Sequence, residues 1–297
     1  MISRYFLQFR HFSTQNIYRF GSSSSSSKSF NEIKHYRIPP RLPYVNGYVN
    51  DFREDRPILS TIKYRNRELQ IELLDENDTG LVGQLYADQF MKENSMVCAL
   101  NGTPEELAQF FYDDVASKLS SNMSMLVKDG DKCIGYHVVD KIERENFDNY
   151  FSNGTHMEKP YLDFKDNYAE DIKNGRFESE KANTIAALLN APFSQTLRFL
   201  PQDVNCLLYF EVVGIDKNYQ NCGIFPELVR LMTKIGKENG CDYGVVYSIA
   251  KESANISLKV WKHLFTFPYD KFKVDGKVIF KNLSDGAKGI VVTYTKL

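Results

Sequence analysis

No aspartate or glutamate occurs before Glu32, a stretch that carries Arg4, Arg10, Arg19 and Lys28. No apolar run approaches the roughly 20 residues needed to span a bilayer, so membrane insertion is not expected. The five cysteines (Cys98, Cys133, Cys206, Cys222, Cys241) form no CxxC, and the five histidines form no HxH or HxxxH. That spacing speaks against a disulfide framework and a zinc site; no metal is expected, and the thiols read as reduced and mostly buried. Thirty-seven lysines and arginines nearly cancel 38 aspartates and glutamates, leaving a formal net charge of -1. Such a balance gives no electrostatic case for nucleic acid or an anionic membrane as an obligate partner. Nothing in the composition fixes the oligomeric state.

What is present begins with the leader. On a helix, Ile2, Tyr5, Phe6, Phe9 and Phe12 gather on one side and Arg4, Gln8 and His11 on the other. An Arg-rich, Ser-rich, acid-free amphipathic start is the pattern of a mitochondrial transit peptide, and Arg10-His11-Phe12-Ser13-Thr14 is similar to a matrix-protease cleavage context. The expected location is therefore mitochondrial, otherwise cytoplasmic; the plainer alternative for residues 1–31 is a disordered basic tail. The serine run Ser22–Ser27 and Pro39, Pro40, Pro43 and Pro57 then predict a flexible Ser/Pro-rich linker over 32–60. The folded domain is expected over 61–297.

Within it, Leu69-Gln70-Ile71-Glu72-Leu73 alternates like a half-buried strand. Asp78 is a plausible N-cap for a helix over Leu81–Phe90, and Thr103-Pro104-Glu105-Glu106 opens another. Met123–Val127 and Ile134–Val139 predict a hairpin around Asp129-Gly130. Residues 141–177 are a polar, aromatic insertion, followed by a helix over Glu178–Leu189. Leu207–Ile215 reads as a buried strand, Ile224–Lys237 as a helix, Tyr243–Ser248 as a strand and Ser253–Leu264 as a helix. Val278–Phe280 and Ile290–Thr295 suggest closing antiparallel strands.

The junction Val213-Gly214-Ile215…Gln220-Asn221-Cys222-Gly223-Ile224-Phe225 carries the chemical signal. A buried strand runs into a turn and a helix whose N-terminus is built around Gly223. First-turn amides and the helix dipole favour an anion, and glycine admits it without a Cβ in the way. Strand-Gly-helix junctions are common, and most bind nothing.

The spacing resembles the acyl-CoA-binding motif of the GNAT N-acetyltransferase superfamily, (Gln/Arg)-x-x-Gly-x-(Gly/Ala), on residues 220–225. The helix segment Ser257-Leu-Lys-Val-Trp261-Lys-His-Leu264 is similar to that of its arylalkylamine N-acetyltransferase-like members. Element order matches from about Glu68 to Leu297; residue-level likeness is confined to 209–265. The resemblance implies an α/β (α+β) fold, a GNAT-like mixed, mostly antiparallel central sheet flanked by helices. It implies acetyl-CoA or another short acyl-CoA as co-substrate, bound by Val213, Ile215, Gln220, Asn221, Cys222, Gly223, Ile224 and Phe225. It also implies N-acyl transfer to a small-molecule amine in a ternary complex. Phe225 stands where the motif has a small residue, and Trp261 where the superfamily often has tyrosine. Those departures keep open a non-catalytic acyl-CoA-binding or protein-interaction protein; a mitochondrial amino-acid N-acyltransferase is a second enzyme alternative.

Two carboxylates compete for the role of base. Glu211 shares strand parity with Val213 and Ile215 and is expected on their face, in an apolar setting that would raise its pKa; the alternative is a solvent-facing side chain. Glu93 falls where arylalkylamine-type members carry an acidic pair, here reduced to Glu93-Asn94. For the acid, Ser253 and Ser257 lie four apart on one helix face, similar to a serine pair of insect-type relatives; capping is the plainer role. Phe147, Tyr150, Phe151, Tyr161, Phe164 and Tyr168 of the insertion either roof the acceptor pocket or pack as core.

Overall fold

Residues 34–297 are described by the computed structural model, so the leader reading for 1–31 lies outside the described residues. A small hairpin, β1 (Tyr44–Val45) and β2 (Tyr48–Val49), precedes β3 (Ile58–Tyr64) and β4 (Arg67–Leu73). Next come α1 (Thr79–Glu93), α2 (Ser95–Ala99) and α3 (Pro104–Leu119), then β5 (Met125–Asp129) and β6 (Lys132–Glu143). The insertion holds the end of β6, a 3-10 turn at Arg144–Asn146, α4 (Phe147–Tyr150) and α5 (Ala169–Lys173), before α6 (Glu180–Phe193). The chain continues through β7 (Cys206–Ile215), α7 (Ile224–Glu238), β8 (Tyr243–Ser248) and α8 (Lys251–Val260). It closes with β9 (Lys262–Pro268), the hairpin β10 (Lys273–Val274) and β11 (Lys277–Val278), and β12 (Gly289–Lys296).

Among the described residues, eight strands form one sheet in the order β3-β4-β5-β6-β7-β8-β12-β9. Every neighbouring pair is antiparallel except β7–β8, which is parallel. One face carries α1, α3 and α6, through Tyr86, Phe111, Val115 and Ile185 over Leu126, Val138 and Val212. The other face carries α7, whose Leu228, Leu231 and Met232 cover Leu69, Ile71, Val127, Leu208 and Phe210. Fully buried Leu69 and Ile71 each contribute roughly 1.5–3 kcal/mol to that layer. Local chemistry agrees with this packing. Thr103 and Glu106 form a reciprocal capping box with Pro104 at the first helical position of α3, and Gly130 takes a φ of 60° in the β5–β6 turn.

Several expectations are corrected. The described part of the 32–60 segment is not a free linker. Arg56 is buried and pairs with Asp51 at 2.6 Å, Asp78 at 2.7 Å and Glu72 at 3.1 Å, while His35 and Tyr36 bond Asp113 of α3. Isolated charges buried this deeply would be costly, so the segment is held by its partners. Asp78 does not cap α1; its carboxylate serves Arg53, Arg56 and the backbone of Asp75. The last predicted helix stops early, because Trp261 is extended and Phe265 and Phe267 alternate inward as β9. Val278 belongs to a two-residue hairpin outside the main sheet, turned by Asp275 and Gly276 at positive φ.

Candidate active site

Two irregularities of β7 open the site. Opposite β6, Val138 pairs with Val212 but Val139 with Phe210, so Glu211 is an extra residue, a β-bulge. Opposite β8, pairing runs only from Leu207–Tyr243 to Phe210–Val246. Beyond that point the two parallel strands part, and the β8-facing main-chain groups of residues 211–215 have no strand partner.

The bulge also reverses the strand's faces. Leu208 and Phe210 pack in the α7 layer, whereas Val212 packs in the α1/α3 layer. Gly214 follows Val212: a Cβ there would lie 2.0 Å from Gln89 Oε1 and 2.4 Å from the Tyr136 ring, so glycine lets α1 approach. Ile215 packs on the α7 side, but Glu211 meets Lys118 and Asp114 of α3 on the opposite one. Glu211 and Ile215 therefore do not share a face, contrary to simple alternation, because the count slips by one at the bulge.

A cavity of about 990 Å³ runs through this gap. It is lined by Glu93, Glu211, Val213, Ile215, Gln220, Asn221, Gly223, Ile224, Phe225, Ser253 and Ser257. Of the catalytic and acyl-CoA-binding residues expected from the sequence, Cys222 alone does not line it; its thiol faces the Tyr219 carbonyl.

At one end, Gly223 adopts φ +87° as the residue before α7, with Asn221 also left-handed at φ 61°. A Cβ built on Gly223 meets no atom within 4 Å. The α7 N-terminus has no side-chain cap, so the amides of Ile224 and Phe225 point outward without an intrahelical partner; Pro226 has none to give. Phe225 is half-buried on the cavity wall rather than in the core. Trp261 also lines the cavity, its ring edge-to-face with Phe210 at 4.7 Å. The residues here fit a diphosphate: free amides, a left-handed glycine and open space beyond it.

At the other end the wall is charged. Lys118 bonds Asp114 and lies 3.2 Å from Glu211 Oε2. Burial, then the Asp114 carboxylate, push Glu211 up to about 7, while Lys118 opposes them and the Tyr209 hydroxyl bonds the carboxylate. Burial lifts Asp140 to about 6 against the pull of Lys118. His137, on β6, is held neutral by burial at about 3, with Nδ1 unpartnered. Glu93, at the end of α1, is exposed. Ser257 Oγ donates to the Ala254 carbonyl and accepts from Ser248, which commits its proton. Exposed Ser253 makes no side-chain hydrogen bond among the described residues.

Sequence reasoning missed Asp114, Lys118, Asp140 and Tyr247. Asp114 and Lys118 carried a signal, an acid and a base four apart on a helix otherwise apolar on that side. Tyr247 had none; its hydroxyl meets Thr196 Oγ1 at 2.5 Å, and its ring packs with Phe193 and Tyr209 at 5.5 and 5.6 Å. From the insertion, Tyr150 lines the cavity, Phe147, Phe151 and Tyr168 are core, and Tyr161 and Phe164 are exposed. Among the described residues, no group of three His, Cys, Asp or Glu side chains is placed to hold a metal, and no helix is long and apolar enough to cross a membrane.

No protein-family model matches the chain, and no curated protein matches it in sequence. Solved structures do match in three dimensions. Drosophila melanogaster polyamine N-acetyltransferase superposes with a TM-score of 0.58 at 12% identity, covering 77% of this chain and 100% of that one. A mosquito arylalkylamine N-acetyltransferase-like 5b gives 0.59 at 12%, over 77% and 100%. The C-terminal condensation domain of Ebony, in complex with beta-alanyl-dopamine, gives 0.53 at 14%, over 78% and 100%. The chain has the mixed, mostly antiparallel fold of these structures, as the resemblance to the GNAT superfamily implied.

Proposed function

We propose that the chain is an acyl-CoA-dependent N-acyltransferase, moving an acetyl or other short acyl group from CoA to a small amine by direct attack in a ternary complex. One observation carries the reading: the cavity passes from the helix amides at Gly223, through the gap between β7 and β8, to the buried carboxylate of Glu211. The fold neighbour from the fruit fly forms N-acetylagmatine, which supports an amine acceptor.

Acyl-CoA brings the activated carbonyl. The chain supplies amides for the diphosphate at Ile224 and Phe225, and unpaired β7 main chain for the arm that carries the thioester. Main-chain N–H groups around Val213 stabilise the oxyanion in this scheme. Glu211, titrating near neutrality, removes the proton of the amine. Ser253 is the better of the two serines to protonate the leaving thiolate, since Ser257 is already committed. Phe193, Tyr209 and Tyr247 offer an apolar aromatic wall for the body of the acceptor. An amino-acid acceptor is disfavoured, because its carboxylate would meet Asp114, Asp140 and Glu211 against a single lysine. The location proposed with this activity is mitochondrial, on the first 31 residues alone.

The test is calorimetric titration with CoA, followed by thiol release from acetyl-CoA in the presence of agmatine and a panel of arylalkylamines. Binding with amine-dependent release is expected. Binding with no release for any amine would instead favour the non-catalytic reading, for which Phe225 and Trp261 on the cavity wall are the supporting observation.

A further inference from the structure

Lys118 is a buried ammonium that the scheme above leaves without a role. It lies on the apolar side of α3 with Phe111 and Val115, and it is the one lysine or arginine among the described residues lining the cavity. It bonds the carboxylate of Asp114, one turn back, and reaches Glu211 Oε2 at 3.2 Å. The second oxygen of Asp114 is buried without a hydrogen-bond partner. Facing this group are Asp140 from β6, the hydroxyl of Tyr209 on β7 itself, and Tyr247 from β8. A charge removed from water this thoroughly is costly unless paired, and two acids would otherwise oppose each other across the site.

We propose that Lys118 is a positioning residue for acyl transfer: it holds Glu211 by an ion pair and offsets Asp114, so that Glu211 stays ionised and aimed when a cationic amine arrives. This rests on Glu211 being the base. With Asp114 and Glu211 ionised, Lys118 protonated and an ammonium acceptor bound, these four groups sum to zero. Moving the acceptor proton onto Glu211 leaves a neutral amine, a neutral carboxylic acid and the Lys118–Asp114 pair, again zero. The proton therefore moves without creating net charge in a poorly solvated site. Without Lys118, Glu211 shares the site with Asp114 and Asp140 and no lysine, and at least one of these acids keeps its proton.

The experiment is the pH dependence of kcat/KM for the full chain with acetyl-CoA and the best amine of the panel. Lys118→Met is expected to move the acid limb to higher pH by about one unit or more, and Asp114→Asn to move it to lower pH. Lys118→Arg is expected to return the limb to its wild-type position. A side chain that only packs would lower rates without moving the limb. Limbs that coincide for all variants, or Met and Asn variants that shift the same way, overturn the proposal. If Lys118→Met does not fold, the Asp114→Asn and Lys118→Arg limbs still decide. A carboxyl ¹³C titration, with Glu211 identified by its loss in Glu211→Gln, reads the same shifts without turnover. Wild-type rates in Glu211→Gln would remove the base itself; an inactive Glu211→Gln with unmoved limbs removes only the role of Lys118.

Discussion

Around Gly223 the cavity wall is main chain: a left-handed glycine, two outward amides and an unpaired strand edge, with no lysine or arginine among the lining side chains there. Around Glu211 it is side-chain charge, three acids and one lysine drawn from α3, β6 and β7. The first end can hold a large anion of any identity but perform no proton transfer. The second can move protons but would repel a phosphate. A molecule that satisfies both is long, anionic at one end and reactive at the other, and this division of labour is why acyl-CoA is proposed.

The division is most sharply tested at the charged end. Glu211→Gln is expected to lower kcat by about 10²–10⁴-fold with little change in CoA affinity, whereas Glu93→Gln, exposed at the end of α1, stays near the wild-type rate. The pH profile carries the same sign. With Glu211 lifted to about 7, activity is expected to fall as pH drops below neutrality and the proposed base is protonated. Stability runs the other way. Between the ordinary glutamate value and about 7 the folded chain holds a proton that the unfolded chain has lost. Stability contributed by protonated Glu211 is therefore lost as pH rises through that window, and Glu211→Gln flattens the fall in denaturant titrations.

At the backbone end the expected effects are smaller and fall on binding. Gly223→Ala meets no protein atom but must hold φ near +87°, at a cost of about 1–2 kcal/mol. CoA affinity is expected to weaken about tenfold, equivalent to 1.4 kcal/mol, with kcat at saturating acetyl-CoA retained. A loss in kcat alone would erase the distinction between the ends. Smallest of all is Cys222→Ser, whose side chain turns away from the cavity; rates within about twofold of wild type are expected in the thiol-release assay, given the usual scale of such surface changes.

The same contrast explains what could be read from the sequence. The backbone end is local: Val213 to Phe225 lie in one stretch, so glycine placement and strand-helix order reveal it. The charged end is assembled by the sheet. Glu211 was visible as an acid in an apolar strand, but its face was misjudged because nothing in Phe210-Glu211-Val212 announces a bulge. Asp114 and Lys118 become its neighbours only once α3 lies over β7. The N-terminal segment was misjudged for a related reason. Its prolines suggested a spacer, while its order depends on Arg56 finding Asp51, Glu72 and Asp78. The boundary at Trp261 failed because helical spacing continued in sequence past the point where Phe265 and Phe267 claim the strand face.

Amide hydrogen exchange, with and without saturating CoA, tests the central claim most directly. The amides of Ile224 and Phe225 and the β8-facing amides of Glu211–Ile215 are expected to slow together on binding. CoA that binds while leaving both segments unchanged would contradict the account.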